Sequence, residues 1–291
     1  MVMAEHIDPA QAYFDIAHEG AQLRAVADAV PWEQVLSDTP RSIIVLAGDE
    51  ISYRAAQAVL AISQPLATPV VITQSLPTYV GALDVVLLLS EAGAHDGLAQ
   101  AASVCHARGT STIAAVGRGP LREDLPSSAY VIDPLPMHEG PSPARAGAAL
   151  LALLVAQPKR RLYAIAERVD EELLRCAPDR ETLNPARDIA QKAGFALHVA
   201  SDAESVELCA LIACMFNQHA KLSGSLDGRA LGAYYQAQPP RDPFHDPVID
   251  GPLPPEPTVI RWGVAELAEA EGDRATALFT LMARAFAATM Y

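Results

Sequence analysis

Five short stretches in the first half of the chain are mostly apolar: SIIVL (42–46), TPVVITQ (68–74), LDVVLLLS (83–90), STIAAVG (111–117) and AYVID (129–133). Strands that are apolar without alternation are buried on both faces, as in a parallel sheet. Between them, helical periodicity covers 52–62 and 95–108, and Asp8-Pro9 has the form of an N-cap opening a helix to about residue 30. Strand, helix and strand alternate over short connections, which predicts a doubly wound α/β unit. PMHEGPSPARAG (136–147), rich in Pro and Gly, reads as a linker. Helices are then expected over 146–156 and 162–176, and a capped helix over 184–194. A strand at 195–201, a long helix over 203–221, a strand at 258–263 and a final amphipathic helix over 273–290 follow. A loop with eight prolines (238–257) separates the last two groups. The expectation is two similar α/β units with parallel sheets, 1–140 and 161–291, joined through 141–160.

Composition narrows the function. The formal charge of −14 over 291 residues argues against nucleic acid or an anionic membrane surface as the main partner. No apolar run approaches the ~20 residues needed to cross a bilayer. The opening MVMAEHIDPAQ carries Glu5 and Asp8 and has no basic n-region, so a cytoplasmic location is expected. Cys105, Cys176, Cys209 and Cys214 show neither CxxC nor zinc spacing and read as buried apolar side chains. His95 and His106 lie three turns apart along one predicted helix, so no metal site is expected, and no cofactor is called for.

The stretch LLLSEAGAHDGL (87–98) has the outline of a strand, a turn and a helix start, where α/β proteins hold phosphate. Its turn nonetheless carries Glu91 and Asp96. Together with TPVVITQSLPTYVGALDVVLLLS, HARGTSTIAAVGRG, SPARAGAALLALL, NPARDIA, NQHAK (217–221) and HDPVID (245–250), the chain resembles the sugar isomerase (SIS) superfamily. The resemblance is to the double-domain bifunctional phosphoglucose/phosphomannose isomerases and runs from about Arg41 to the C-terminus. It implies two flavodoxin-like parallel-sheet domains, a homodimer and a carbohydrate-derivative ligand. It further implies a base that moves a proton between C1 and C2 of an open-chain sugar, an arginine that stabilises the enediolate, and a Ser/Thr-rich phosphate turn.

Carried onto this chain, the resemblance implies Arg145 as the stabilising cation and puts Gln218 where the family has its glutamate. His219 or His245 is then the candidate proton carrier. The expected ligand-binding positions are Gly48, Ser52, Ser90, Gly93, His95 and Lys221. The family's S-x-S-G-x-T turn reads Ser90-Glu91-Ala92-Gly93-Ala94-His95 here, and the first glycine-rich turn is AGDEIS, with Asp49 and Glu50. Two hydroxyl donors are missing, each worth about 1.5–3 kcal/mol to a charged ligand. A carboxylate ~4 Å from a unit negative charge costs about 4 kcal/mol at an effective dielectric of about 20. A helix N-terminus returns only about 1–2 kcal/mol. Repulsion wins if Glu91 points inward. With Glu91 in solvent, Ser90, His95 and the helix amides could still hold a weak anion.

Gln218 cannot act as a general base near neutral pH. His219 could replace it, or could merely satisfy a helix end. His245, beside Asp246, is a loop acid/base or an exposed turn residue. Arg145 suits an anionic ligand or a linker ion pair. Three readings follow: an active sugar-phosphate isomerase with rewired residues, a non-catalytic protein that binds a carbohydrate derivative, and a scaffold. The carboxylate-bearing turns and Gln218 favour the second and third.

Overall fold

The computed structural model describes residues 9–93, 97–192, 194–238 and 256–291. The five apolar runs form β1 (Ile43–Ala47), β2 (Val70–Thr73), β3 (Val85–Ser90), β4 (Ser111–Val116) and β5 (Tyr130–Ile132). They make one parallel sheet in the order β2-β1-β3-β4-β5. Helices α1 (Pro9–Ala17), α2 (Glu19–Ala29) and α3 (Trp32–Val35) precede it. Within it α4 (Glu50–Ile62) follows β1, α5 (Leu98–Ala107) follows β3 and α6 (Pro120–Glu123) follows β4. Next come α7 (Pro143–Leu154), α8 (Pro158–Arg175) and α9 (Pro185–Ala190). The second sheet is also parallel, with order β7-β6-β8, from β6 (Ala196–Ala200), β7 (Ser223–Asp227) and β8 (Thr258–Trp262). A 3₁₀ turn (Ala203–Ser205) and α10 (Val206–Gln218) follow β6, α11 (Gly228–Ala237) follows β7, and α12 (Val264–Glu271) and α13 (Arg274–Ala288) close the chain.

The period-2 rule sorts the first sheet's side chains. Ile43, Val45, Val85, Leu87, Leu89, Ile113 and Ala115 face one core, which α2, α4 and α7 cover. Ile44, Leu46, Val86, Leu88, Ala114 and Val116 face the other, under α5 and Leu121. Fully burying each large aliphatic side chain stabilises the fold by about 1.5–3 kcal/mol, which is why these runs carry no polar break. The first core continues through α8, α10 and α13 to Ala196, Ile260 and Trp262 of the second sheet. A single apolar cluster therefore joins the two sheets. In both sheets the first strand lies between the second and the third, so β7-β6-β8 repeats the arrangement β2-β1-β3.

Several expectations need correction. The helix expected from Pro9 to about residue 30 is two helices, because His18 adopts φ −106 and ψ 12 and turns its ring nitrogen onto the Phe14 carbonyl. The stretch 136–147 is not an exposed linker from Ser142 onward. Ser142 caps α7 by accepting from the Arg145 amide at 3.0 Å, Pro143 takes the first turn, and α7 is buried on all sides through Leu153. The helix expected over 203–221 ends at Gln218, and Ala220 turns left-handed at φ 57. The Asn217 side chain fastens that turn to both backbone groups of Ser223. Strand β7 and helices α11 and α12 had no counterpart in the sequence reading. Most of the proline-rich loop lies outside the described residues. Among the described residues no helix is long and apolar enough to cross a membrane.

Candidate functional site

In a sheet ordered β2-β1-β3-β4-β5, the connections leave β1 and β3 toward opposite sides, opening a crevice beyond their carboxyl ends. A cavity of about 510 Å³ lies there, and Asp49, Glu91, Arg118, His138, Arg145 and Gln218 contribute to its wall. Its volume falls in the range of small-molecule sites.

Asp49 ends the β1 turn and caps α4. One carboxylate oxygen accepts from the Ser52 amide at 2.8 Å; the other accepts from the Ser52 hydroxyl at 3.0 Å and the Ala92 amide at 3.3 Å. The Ser52 hydroxyl in turn accepts from the Glu91 amide at 3.2 Å. The Ser52 amide and hydroxyl and the Ala92 amide, donors at these two turns, are therefore already bound to a carboxylate of the chain itself.

Glu91 points inward. It is buried and accepts from Arg145 Nη2 at 2.6 Å, Arg145 Nε at 3.1 Å and the Ser142 amide at 2.9 Å. The third guanidinium nitrogen, Nη1, reaches the Val116 carbonyl at 3.3 Å. Arg145 is only 1% exposed, so its charge is matched inside the protein before any ligand enters. Burial raises the Glu91 carboxyl above its ordinary value, while the charge and hydrogen bonds of Arg145 pull against that rise.

The wall carrying Arg145 is fastened from the N-terminal helices. Asp15 accepts from the Glu139 amide at 3.3 Å and the Gly140 amide at 2.7 Å, and Glu19 accepts from the Ala144 amide at 2.9 Å. Burial pushes the Glu19 carboxyl up to about 8, so it holds its proton at neutral pH. His138 is 2% exposed, with Nδ1 3.4 Å from Asp15 Oδ1, too long for a well-formed hydrogen bond. Both ring nitrogens are shut off from solvent, and neither makes a well-formed hydrogen bond to another side chain among the described residues. Burial lowers the imidazole's pKa, Asp15 and a hydrogen bond to the Gly140 backbone oppose that, and Arg145 adds to it.

The remaining expected positions divide into three groups. Gly48 lies under the crevice, where a Cβ would come within 2.8 Å of Leu98 Cδ1 and 3.2 Å of Ser90 Oγ. Ser90 is fully buried, and its carbonyl accepts from Gly93 and Gly117. Gly93 sits at φ +61, with a Cβ position 2.4 Å from the Arg118 carbonyl, so the turns after β3 and β4 touch backbone to backbone. Gln218 reaches the cavity from the end of α10. His219 and Lys221 are turned to α13. The His219 ring lies edge-on to Phe286 with Nδ1 2.9 Å from the Met215 carbonyl, and Lys221 Nζ donates to the Ala288 carbonyl at 3.2 Å. His95 and His245 lie outside the described residues.

Sequence reasoning missed Asp15, Glu19 and His138 as neighbours of this site. Glu19 left a trace, because it falls on the apolar stripe of Ile16, Leu23, Val26 and Ala27. His138 left none. Among the described residues no group of three or more His, Cys, Asp or Glu side chains could hold a metal ion.

The Asp49 arrangement recurs in the second half. Asp202 follows β6 and accepts from the Ser205 amide at 2.9 Å, the Ser205 hydroxyl at 2.7 Å and the Ala265 amide at 3.2 Å. The Ser205 hydroxyl accepts from the Val264 amide at 2.7 Å, as Ser52 does from Glu91. AGDEIS and ASDAES thus form the same clip at the same place in both sheets.

No protein-family model and no curated protein sequence matches the chain. Solved structures do. One is a candidate sugar-binding protein from Salmonella typhimurium LT2, with 16% identity, TM-score 0.60, and coverage of 95% of this chain and 98% of that one. The C-terminal domain of glucosamine-fructose-6-phosphate aminotransferase from Francisella tularensis matches with 10% identity, TM-score 0.62, and coverage of 96% and 94%. A candidate phosphosugar isomerase from Silicibacter pomeroyi DSS-3 matches with 13% identity, TM-score 0.60, and coverage of 96% of both chains. At such identities the likeness is one of fold: an α/β chain with parallel sheets.

Proposed function

We propose that this is a SIS-type protein whose crevice binds a carbohydrate derivative lacking a phosphate at the β3 turn. In this reading the chain does not isomerise sugar phosphates in the manner of the bifunctional isomerases. One observation carries it: the Asp49 carboxylate is bonded to Ser52 and Ala92, at the turns where the family resemblance leads one to expect a phosphate. A phosphate dianion would have to displace Asp49 or lie against it, and the loss of about 4 kcal/mol at ~4 Å exceeds what a helix N-terminus returns. Gln218 agrees with this, since the cavity reaches a carboxamide and not a carboxylate at the family's base position. The repeated strand order and the repeated Asp clip support a duplicated SIS-like plan, 1–140 and 161–291, joined through 141–160. A cytoplasmic homodimer fits that plan.

The reading is tested by calorimetric titration with glucose and glucosamine beside glucose 6-phosphate, fructose 6-phosphate and mannose 6-phosphate. An unphosphorylated sugar is expected to bind at least as tightly as its phosphate. Phosphates binding about tenfold tighter, a difference of about 1.4 kcal/mol, would sink the idea.

A further inference from the structure

We infer that the far edge of β8 is a docking site for an extended, acidic peptide segment of another protein, which joins the second sheet as an added strand. The inference is independent of the crevice and of its ligand.

Among the described residues β8 pairs with β6 alone. The Thr258 amide donates to the Phe195 carbonyl, and the Trp262 carbonyl accepts from the Ser201 amide. In a parallel ladder Thr258, Ile260 and Trp262 therefore turn their backbone groups to β6, and Val259 and Arg261 turn theirs away from it. Among the described residues no strand meets those two amides and two carbonyls. A cavity of about 600 Å³ lies along β8, with α9, α12 and α13 as its other walls. Half-buried Ile189 and Leu267 and buried Leu281 give it an apolar lining.

The first half of the chain shows what fills such a place. There β3, the counterpart of β8, holds β4 in parallel register on its far edge, and Ile113 and Ala115 of β4 turn into the first core. After β8 the chain runs into α12 and α13 without returning to the sheet. A strand supplied from outside takes up the free amides and carbonyls of Val259 and Arg261 and lays alternate apolar side chains over Ile189, Leu267 and Leu281. Charge selects among such strands. Arg261 is exposed, on the face of β8 opposite the buried Ile260 and Trp262. A carboxylate directly across from it on the added strand is favourable, and a second cation there is not. Asp188, Lys192 and Glu266 in the cavity wall carry both signs, so Arg261, on the strand itself, sets the preference.

The test uses the full chain labelled with ¹⁵N and two synthetic peptides, one alternating glutamate with valine and one alternating lysine with valine. In the free protein the Val259 and Arg261 amides are expected to exchange with solvent at least about tenfold faster than those of Ile260 and Trp262. The glutamate peptide is expected to slow them to the level of those neighbours. It is expected to bind about fivefold tighter than the lysine peptide, a preference that Arg261→Glu reverses. The same peptide methylated on its backbone nitrogens is expected to lose the protection. Amides of Val259 and Arg261 already protected in the free monomer would mean that the chain covers its own edge. Protection that grows with protein concentration, with a doubled mass in sedimentation, would mean that a second copy covers it. Either result overturns the inference. So does the absence of a shift at those two amides with both peptides at millimolar concentration, equal binding of the two peptides, or undiminished binding of the methylated one.

Discussion

Asp49 and Asp202 occupy equivalent places in the two sheets, each joining the turn after a first strand to the amide that follows a third strand. Among the described residues the second sheet has three strands against five in the first, and it still keeps this clip. Its contacts explain why it persists in the fold: one carboxylate satisfies a helix N-terminus and a neighbouring turn together.

Replacing Asp49 by serine should unmask the anion site. Serine is as good an N-cap, so stability is expected to change by less than about 1 kcal/mol. The Ala92 amide and the α4 amides lose their internal anion, and inorganic phosphate is expected to bind at millimolar levels to Asp49→Ser but not to the parent chain. Calorimetry on both proteins decides it. Equal absence of heat would mean that Glu91, not Asp49, excludes the anion.

The Glu91–Arg145 pair should behave as a buried ion pair. Glu91→Ala or Arg145→Ala leaves an uncompensated charge in the core, and each is expected to lower the unfolding free energy by about 3–5 kcal/mol. The double variant should lose much less than the sum. Urea unfolding of the four proteins gives the coupling, and simple additivity would contradict the geometry.

Acid sensitivity is expected from His198. This ring lies fully buried in β6 and accepts from Trp262 Nε1 at 3.1 Å, its Nε2 has no partner among the described residues, and burial pushes its pKa down to about 4. Below pH ~6.5 the unfolded chain takes up a proton here that the folded chain refuses until about pH 4. Stability from this residue is therefore complete above pH ~6.5 and falls by about 3 kcal/mol on going to pH 4. His198→Gln keeps an acceptor for the indole and removes the titration. The stability difference between the two proteins should shrink with acid over that window, and a constant difference would show that the ring is not the cause.

Two glycines separate steric from conformational strain. Gly117 has a Cβ position 2.2 Å from the Glu91 carbonyl, whereas Gly272 closes α12 at φ +76 in open space. Gly272→Ala is expected to lose about 1 kcal/mol through its left-handed backbone alone. Gly117→Ala must push the β3 turn away and is expected to lose more, with a shifted Arg145 environment. Thermal unfolding ranks them, and equal losses would mean that the two turns separate easily.

Much of the first sheet was legible. The runs at 42–46, 83–90 and 111–117 lie within a residue or two of β1, β3 and β4, because burial on both faces leaves an unbroken apolar signature. Strand β7 left none. SGSLD has no β-branched residue, and it forms a strand because β6 offers it an open edge. The fate of 136–147 was equally hidden, since Pro and Gly read as punctuation until Ser142, Glu19 and Asp15 are seen to hold that segment against the core.

What the sequence determined by itself was the α/β plan with parallel strands and the presence of carboxylates in both glycine turns. These are local properties, written in the period of apolar positions and in residues a few places apart. Tertiary structure decided what the carboxylates do. Whether Glu91 faces solvent or Arg145, and whether His138 is loop or wall, depends on pairs such as Glu91 with Arg145 and Asp15 with His138. Those partners are far apart along the chain and meet only when α7 and the N-terminal helices pack over the carboxyl ends of the first sheet.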